Sequence, residues 1–360
     1  RLSLIIWYVT GIDSCRQMIT LPDNAQCKFC LLCCKNRCLL LEKKELSWLI
    51  TKTMTDQYGR GNLMNVKEWH EYSEEEILQA NIEKYQRDDI VKFYADYEEP
   101  RYAYIEYEII LAAVLKALRE KLGRPVRAVD MCGGAGKAAF VIKSIQPDSE
   151  VTLVDLSDKM LEIARQRAAK LGLKDLNIVA ADAFSFLQQD VEFDLFVYSS
   201  ALHHFKDPVN LLRLSADRMS PKGLITVIAE PSSLIGSRRF RFFRFLAASS
   251  DYKVRAIKEC FQQKFKGKPA GEEIDIAEYH YTGIDDHQLC RDLVSVGLHP
   301  LMHLRYPTGG ELKTIKIMPY LGLCWAFGTI LCLSPDDYRA NVEPMKQYIK
   351  KQLPFRIRFY

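Results

Sequence analysis

The 360-residue chain has no long uninterrupted hydrophobic run. Its most apolar stretch, Ile317 to Ser334, is broken by Pro, Gly and Thr, so it reads as buried core rather than as a membrane span. Net charge is also small. The 50 Lys and Arg against 46 Asp and Glu leave a formal +4, which is too weak to argue for nucleic acid. No internal repeat or low-complexity segment is present. The eleven cysteines, six of them in the first 60 residues, lack the spacing of a secreted disulfide framework. The first ten residues are apolar but short, and no small-residue cleavage site follows. The chain begins with Arg, and Met18 is a candidate initiator. These absences predict a cytoplasmic globular protein with no nucleic-acid partner.

The composition, 48% apolar and 27% charged, suits one large domain or two modest ones. The patterning divides the chain into a cysteine-rich segment over 1–60, a helical cap over 61–124, an α/β core over 125–231, an insertion over 232–283 and a C-terminal part over 284–360. In the cap, Ser73 is an N-cap followed by acids, and a helical repeat stops at Gly123. In the core, short apolar strands alternate with helical segments. Ser157 and Asp207-Pro208 open two of these helices. Five strands interleaved with helices imply a doubly wound parallel sheet with ligands at the carboxyl ends of the strands.

The first strand of the core runs into "DMCGGAGKAA", with three glycines in four positions. From Gly134 the loop satisfies G-x-G-x-x-[GA], and Asp155 lies 19 residues beyond Gly136, as in a dinucleotide site. Asp130 argues against a pyrophosphate here, because a carboxylate beside the loop would repel it. The same carboxylate would favour the ammonium and sulfonium of S-adenosylmethionine. Asp155 ends the second strand and Asp182 the third, at positions to accept from ribose hydroxyls and from an adenine amine. A lone Asp at either place would read equally as a helix N-cap.

Residues 126–231 resemble the class I S-adenosylmethionine-dependent methyltransferases that act on small molecules, quinones and lipids. The likeness rests on "VDMCGGAG", "VTLVDLSDKMLEIARQRA", "IVAADAFSF", "FDLFVYSSALHHF" and "MSPKGLITVIAEP", five motifs in order. One departure is Cys132, where the family usually places the first glycine of the loop. The resemblance implies a Rossmann-like core with S-adenosylmethionine as cofactor. Gly134 and Gly136 would let the backbone approach the cofactor, and Asp155 would bind the ribose. Asp182 and Ala183 would lie at the adenine, Asp130 would orient the amine through water, and Ser199 would line the pocket. In-line displacement at the sulfonium carbon needs alignment, and a base only if the acceptor must lose a proton. His203, His204 and Glu230 are the candidates for that role, although a histidine pair here reads more readily as structural, closing the cofactor pocket.

The insertion carries "SRRFRFFRFL" across 237–246, with Arg238, Arg241 and Arg244 at every third place. It reads as a lid helix with snorkelling arginines, or as a contact with an anionic lipid surface, an anionic substrate or, less readily, nucleic acid. Tyr279, His280 and Tyr281 border the acceptor site or form a packed strand. Tyr94, Tyr97, Tyr102, Tyr104 and Tyr107 suit a wall for a flat or apolar acceptor, or plain core packing. "CKFCLLCCKNRC" places Cys27, Cys30, Cys33, Cys34 and Cys38 within twelve residues and resembles the opening of zinc- or iron-chelating cysteine-cluster proteins. Zinc or an iron–sulfur cluster is therefore a candidate second cofactor. The whole reads as a methyltransferase for a small-molecule or lipid-like acceptor. Its rivals are an NAD(P)-dependent oxidoreductase and a non-catalytic metal or redox sensor module.

Overall fold

The computed structural model describes residues 29–34, 37–41, 71–96, 101–173, 175–240, 243, 276–280, 282–308 and 312–360. The chain separates into two compact units, residues 67–235 with 274–360 and residues 1–66 with 236–273. Residues 67–124 of the cap, the core and the C-terminal part, read from sequence as separate segments, fall in the larger unit.

In the smaller unit, β1 (Phe29–Cys34) and β2 (Arg37–Leu41) form an antiparallel hairpin. Cys30, Cys33 and Cys34 fall on β1 and Cys38 on β2, and Cys33 and Cys38 are register partners. Cys27 lies outside the described residues.

In the larger unit the five expected strands are β3 (Arg127–Met131), β4 (Glu150–Asp155), β5 (Leu176–Ala180), β6 (Phe193–Ser199) and β7 (Met219–Pro231). They pair in parallel in the order β5-β4-β3-β6-β7. The order reverses at β3, which places a ligand crevice at the carboxyl ends of β3 and β6. Three further strands extend the sheet. Strand β9 (Ala326–Cys332) inserts antiparallel between β7 and β8 (His299–Tyr306), and the short β10 (Arg358–Phe359) lies on β8. Every residue of β9 is buried, as the apolar run around it requires of a central strand.

The helices are α1 (Glu74–Gln86), α2 (Asp88–Asp96), α3 (Ile105–Leu122), α4 (Lys137–Ile145), α5 (Asp158–Lys170), α6 (Ala183–Leu187), α7 (Pro208–Ala216), α8 (Asp286–Ser295), α9 (Leu312–Ile317) and α10 (Pro335–Gln352). Ser73 caps α1 in a full capping box with Glu76, Ser157 caps α5 and Asp207 caps α7 with Pro208 in the first turn. Gly123 closes α3 in the left-handed conformation. Alternate strand residues feed two core layers. Ala128, Leu195 and Val197 pack with α3 and α10 through Leu111, Val114, Met345 and Ile349. Val129, Phe196 and Tyr198 pack with α7 and α8 through Leu211, Leu212, Leu289 and Leu293. Burial of each such side chain contributes about 1.5–3 kcal/mol. The start of the sheet is pinned by the buried Asp194, which accepts two bonds from Arg124 at 2.7 and 2.8 Å and one from the Arg127 amide at 2.9 Å.

Candidate active site

A cavity of about 760 Å³ opens at the carboxyl ends of β3, β4 and β6 and is bounded by Tyr85 of α1, Tyr94 of α2 and Tyr104 and Tyr107 near the start of α3. Its floor begins with the glycine loop. A Cβ on Gly133 would stand 2.4 Å from Leu153 and 2.6 Å from Asp130, so that position admits only glycine. Gly134 has φ 53°, and its amide donates to Asp155 Oδ2 at 2.8 Å. Gly136 has φ 86° and opens α4, and unlike Gly133 and Gly134 it does not line the cavity.

Among the described residues, the left-handed conformation also occurs at three that are not glycine. Cys132, Ser200 and Ala229 have φ 54°, 53° and 59°, and all three line this cavity. Each costs about 1–2 kcal/mol relative to an ordinary conformation. Cys132 thus adopts the backbone that a glycine would take without strain. Burial pushes its thiol well above the usual range, which keeps it neutral.

The three strand-end acids have different environments. Asp155 and Asp182 line the cavity. Asp155 uses Oδ2 for Gly134 and Oδ1 for the Ser157 amide at 2.8 Å, and burial raises its pKa despite these bonds. Asp182 Oδ1 accepts from the Ser185 amide at 3.0 Å as N-cap of α6, so the N-cap reading and the cavity reading hold together. Asp130 does not line the cavity. It is fully buried under the loop, with Oδ2 bonded to the Ala139 amide at 2.9 Å and Oδ1 without a partner. Burial pushes its pKa up to about 7.

The candidate bases separate just as clearly. Glu230, one of the candidate bases, does not line the cavity. Its fully buried carboxylate accepts from the amides of Ala201 at 2.5 Å, Leu202 at 2.8 Å and His203 at 3.3 Å, and it meets His203 Nδ1 at 3.0 Å. A group so occupied supports the turn at 201–203 and has no access to an acceptor. His203 lines the cavity and is left with Nε2 as its other ring nitrogen. A carboxylate at Nδ1 selects the tautomer with the proton there and a bare Nε2. His204 also lines the cavity, but both its nitrogens are engaged. Nδ1 meets the Ala277 carbonyl at 2.5 Å and Nε2 meets the Tyr85 hydroxyl at 3.4 Å. Burial and then the neighbouring His203 lower its pKa to about 4, so it stays neutral. It ties α1 to the 276–280 segment.

Ala183, Ser199 and Ser200 line the cavity, as do Tyr94, Tyr104 and Tyr107. Tyr279 is buried in a turn, and His280 borders a smaller adjoining cavity. Arg238 is exposed, whereas Tyr281, Arg241 and Arg244 lie outside the described residues. Sequence reasoning missed Lys137, which sits over the rings of Tyr104 and Tyr107 at 4.9 and 4.2 Å. It also missed Glu106, which accepts from the Thr308 hydroxyl across the cavity wall. Lys137 stood within the quoted loop motif, whereas no local signal joins Glu106 to Thr308.

Among the described residues, Asp286, His287 and His303 have ligand atoms close enough to hold a metal. However, Asp286 is gripped by Arg305 Nε at 2.6 Å and Nη2 at 2.5 Å and by His303 Nε2 at 2.7 Å. Burial would raise its pKa, but these partners hold it well below the usual range. A guanidinium already occupies the place of a cation. No helix among the described residues is long and apolar enough to cross a membrane.

Residues 124–274 match a family model described as a methyltransferase domain. A ubiquinone/menaquinone biosynthesis C-methyltransferase of Methylobacterium nodulans is 31% identical over 94 residues, 26% of this chain and 37% of that protein. A demethylmenaquinone methyltransferase of Geobacillus kaustophilus is 27% identical over 135 residues, 37% of this chain and 56% of that one. The chain spans roughly half or less of the length of the first curated relatives it matches. A solved plantazolicin methyltransferase, BamL, aligns with a TM-score of 0.46 at 17% identity over 72% of this chain and 97% of that one. The glycine loop and the parallel strands β3 to β7 all fall within the segment that matches the methyltransferase domain model.

Proposed function

We propose that this protein transfers a methyl group from S-adenosylmethionine to a hydroxyl-bearing small molecule. One observation carries the reading. A single cavity holds the glycine loop, Asp155 and Asp182, and also His203 backed by Glu230. The residues suit the cofactor's chemistry. Gly133 leaves room that a Cβ would fill, and the buried, unpartnered Oδ1 of Asp130 lacks a donor that an ammonium could supply through one water. Asp155 retains lone pairs for ribose hydroxyls, and Asp182 with Ala183 would border the base. The cofactor supplies an activated methyl group, so the chain's task is alignment and exclusion of water.

His203 is the base in this proposal, and Glu230 and His204 are positioning residues. Glu230 keeps the His203 proton on Nδ1, leaving Nε2 to take the acceptor's proton. A neutral imidazole can draw a proton from a phenol-type hydroxyl, with a pKa near ~10, far more readily than from an aliphatic one. The quinone-pathway names of the relatives support an acceptor of this kind. Three separate readings go with this one. They are a zinc or iron–sulfur site on the cysteine hairpin, a lipid-surface contact through 237–246 and a cytoplasmic location.

The test is calorimetric titration of the full chain with S-adenosylhomocysteine and, separately, with NADH. One-to-one binding of the first alone is expected. Binding of NADH alone would return the chain to the oxidoreductase reading.

A further inference from the structure

The methyl-transfer reading uses one cavity, and a second adjoins it. A side chamber of about 220 Å³ shares Ser200, His203, Ala229, Glu278 and Thr308 with the main cavity, and its remaining wall is Pro231, Ile235, Trp325, Ala326 and His280. His203 therefore stands in the partition between the two spaces. We propose that the side chamber is the acceptor pocket and that its occupant is a neutral, flat ring that presents a hydrogen-bonding group to His203. This inference rests on the methyl-transfer reading for its chemistry, but not for its location.

Four observations carry it. The partition is built from strained backbone, since Ser200 and Ala229 are both left-handed without being glycine. Each amide is engaged there, the Ser200 amide donating to the Ile228 carbonyl at 2.9 Å and the Ala229 amide to the Tyr306 hydroxyl at 2.8 Å. Strain retained against relaxation concentrates where geometry serves a ligand. The deeper wall is apolar, with Trp325, Ile235 and Pro231 offering flat and aliphatic surface to a ring.

The polar groups are sparse and specific. His280 reaches the partition through its amide, which donates to the His203 carbonyl at 2.8 Å. Its Nε2 is buried without a hydrogen-bond partner, and burial lowers its pKa, so it stays a neutral group in need of one. His203 is then the ring that meets an occupant from the partition, and a single polar group on the occupant suffices for it. The charge is one-sided as well. No Lys or Arg lines the chamber among the described residues, while Glu278 does. Its carboxylate is paired to Lys84 at 2.7 Å on the α1 side. A carboxylated or phosphorylated acceptor would therefore find no cation in the chamber wall to receive it.

The test uses the full chain saturated with S-adenosylhomocysteine, titrated under reducing conditions with hydroquinone and with 2,5-dihydroxybenzoate, which differ by one carboxylate. Hydroquinone is expected to bind at least about tenfold more tightly than its carboxylated partner. Ile235→Trp, which fills the chamber from a half-buried turn, should abolish hydroquinone binding and leave S-adenosylhomocysteine affinity within about twofold. Trp325→Ala should admit 1,4-dihydroxynaphthalene more tightly than the wild type does. Only the Trp325 side chain is lost, and its carbonyl keeps its bonds to Ser232.

Equal binding of the two probes would overturn the neutral-ligand assignment. Hydroquinone binding that survives Ile235→Trp, or no saturable binding by the wild type, would overturn the chamber. If S-adenosylhomocysteine itself fails to bind, the methyl-transfer reading falls. The chamber then stands or falls on whether Ile235→Trp removes hydroquinone binding from the cofactor-free protein.

Discussion

Replacing Glu230 by Gln tests the proposed His203–Glu230 pair without knowledge of the acceptor. The carboxylate accepts four hydrogen bonds, from three consecutive amides and from His203 Nδ1. Glutamine keeps the bonds of Ala201 and Leu202 to Oε1 but presents an NH2 group to the two donors of His203. Two buried donors then lose their acceptor, at about 1–3 kcal/mol each, and the remaining bonds lose their charge assistance. The expected cost is about 3 kcal/mol, or roughly 6–12 °C in Tm for a unit of this size. The ring can recover one bond by moving its proton to Nε2, which removes the base. Once an acceptor is known, methyl transfer should fall by about 10²–10⁴-fold with S-adenosylhomocysteine affinity nearly unchanged. The assay is nitrogen-resolved NMR of the histidines together with denaturant unfolding. A wild-type His203 with its proton on Nε2, or a Gln variant with unchanged tautomer and midpoint, would refute the reasoning.

The remaining expectations concern the cofactor end and the cysteines. Asp130, with a folded pKa raised to about 7, binds its proton more tightly folded than unfolded. Its contribution to stability is present at low pH and is lost as pH rises from about 4 through 7, on the order of a few kcal/mol. Asp130→Asn should flatten that slope in unfolding curves measured across pH and should weaken S-adenosylmethionine, which carries the ammonium. An unchanged slope would mean that the carboxyl is not the titrating group. Asp155→Ala should cost about 1–3 kcal/mol of S-adenosylhomocysteine affinity by calorimetry, and undiminished affinity would remove it from the site. Exchanging Cys27 and Cys30 for Ser should abolish any stoichiometric zinc or iron measured by elemental analysis while cofactor binding persists. Unaltered metal content would end the cluster reading.

The parallel core was legible because each of its signals is local. The apolar strands, Ser157, Asp207-Pro208 and the glycine loop all act within a few residues of themselves. Strands β8 and β9 were not named as strands, because β9 is buried throughout and β8 over 301–304, which leaves no alternation to distinguish them from a buried helix. The division of labour between His203, His204 and Glu230 was not legible either. Three neighbouring candidates of similar chemistry are told apart by partners 27 and 73 residues away, Glu230 for His203 and Ala277 for His204. Asp130 was placed correctly at the end of its strand, but its depth beneath Gly133 depends on how the loop packs and has no sequence signature.

The attachment of the cap bears on how the nascent chain is made. Helix α5 holds the chain ends of α1 and α2 by three backbone carbonyls. Ser157 Oγ donates to Tyr85, Lys159 Nζ to Gln86 and Arg167 Nη2 to Tyr94, each across 72 or 73 residues. A ribosome adding about 5–20 residues per second produces the cap roughly 4–14 s before the helix that anchors it. During that interval Ile77, which is buried in the finished fold, has no core to join. Synthesis speed across residues 90–170 therefore sets how long an early, unanchored cap is open to chaperones or to other nascent chains.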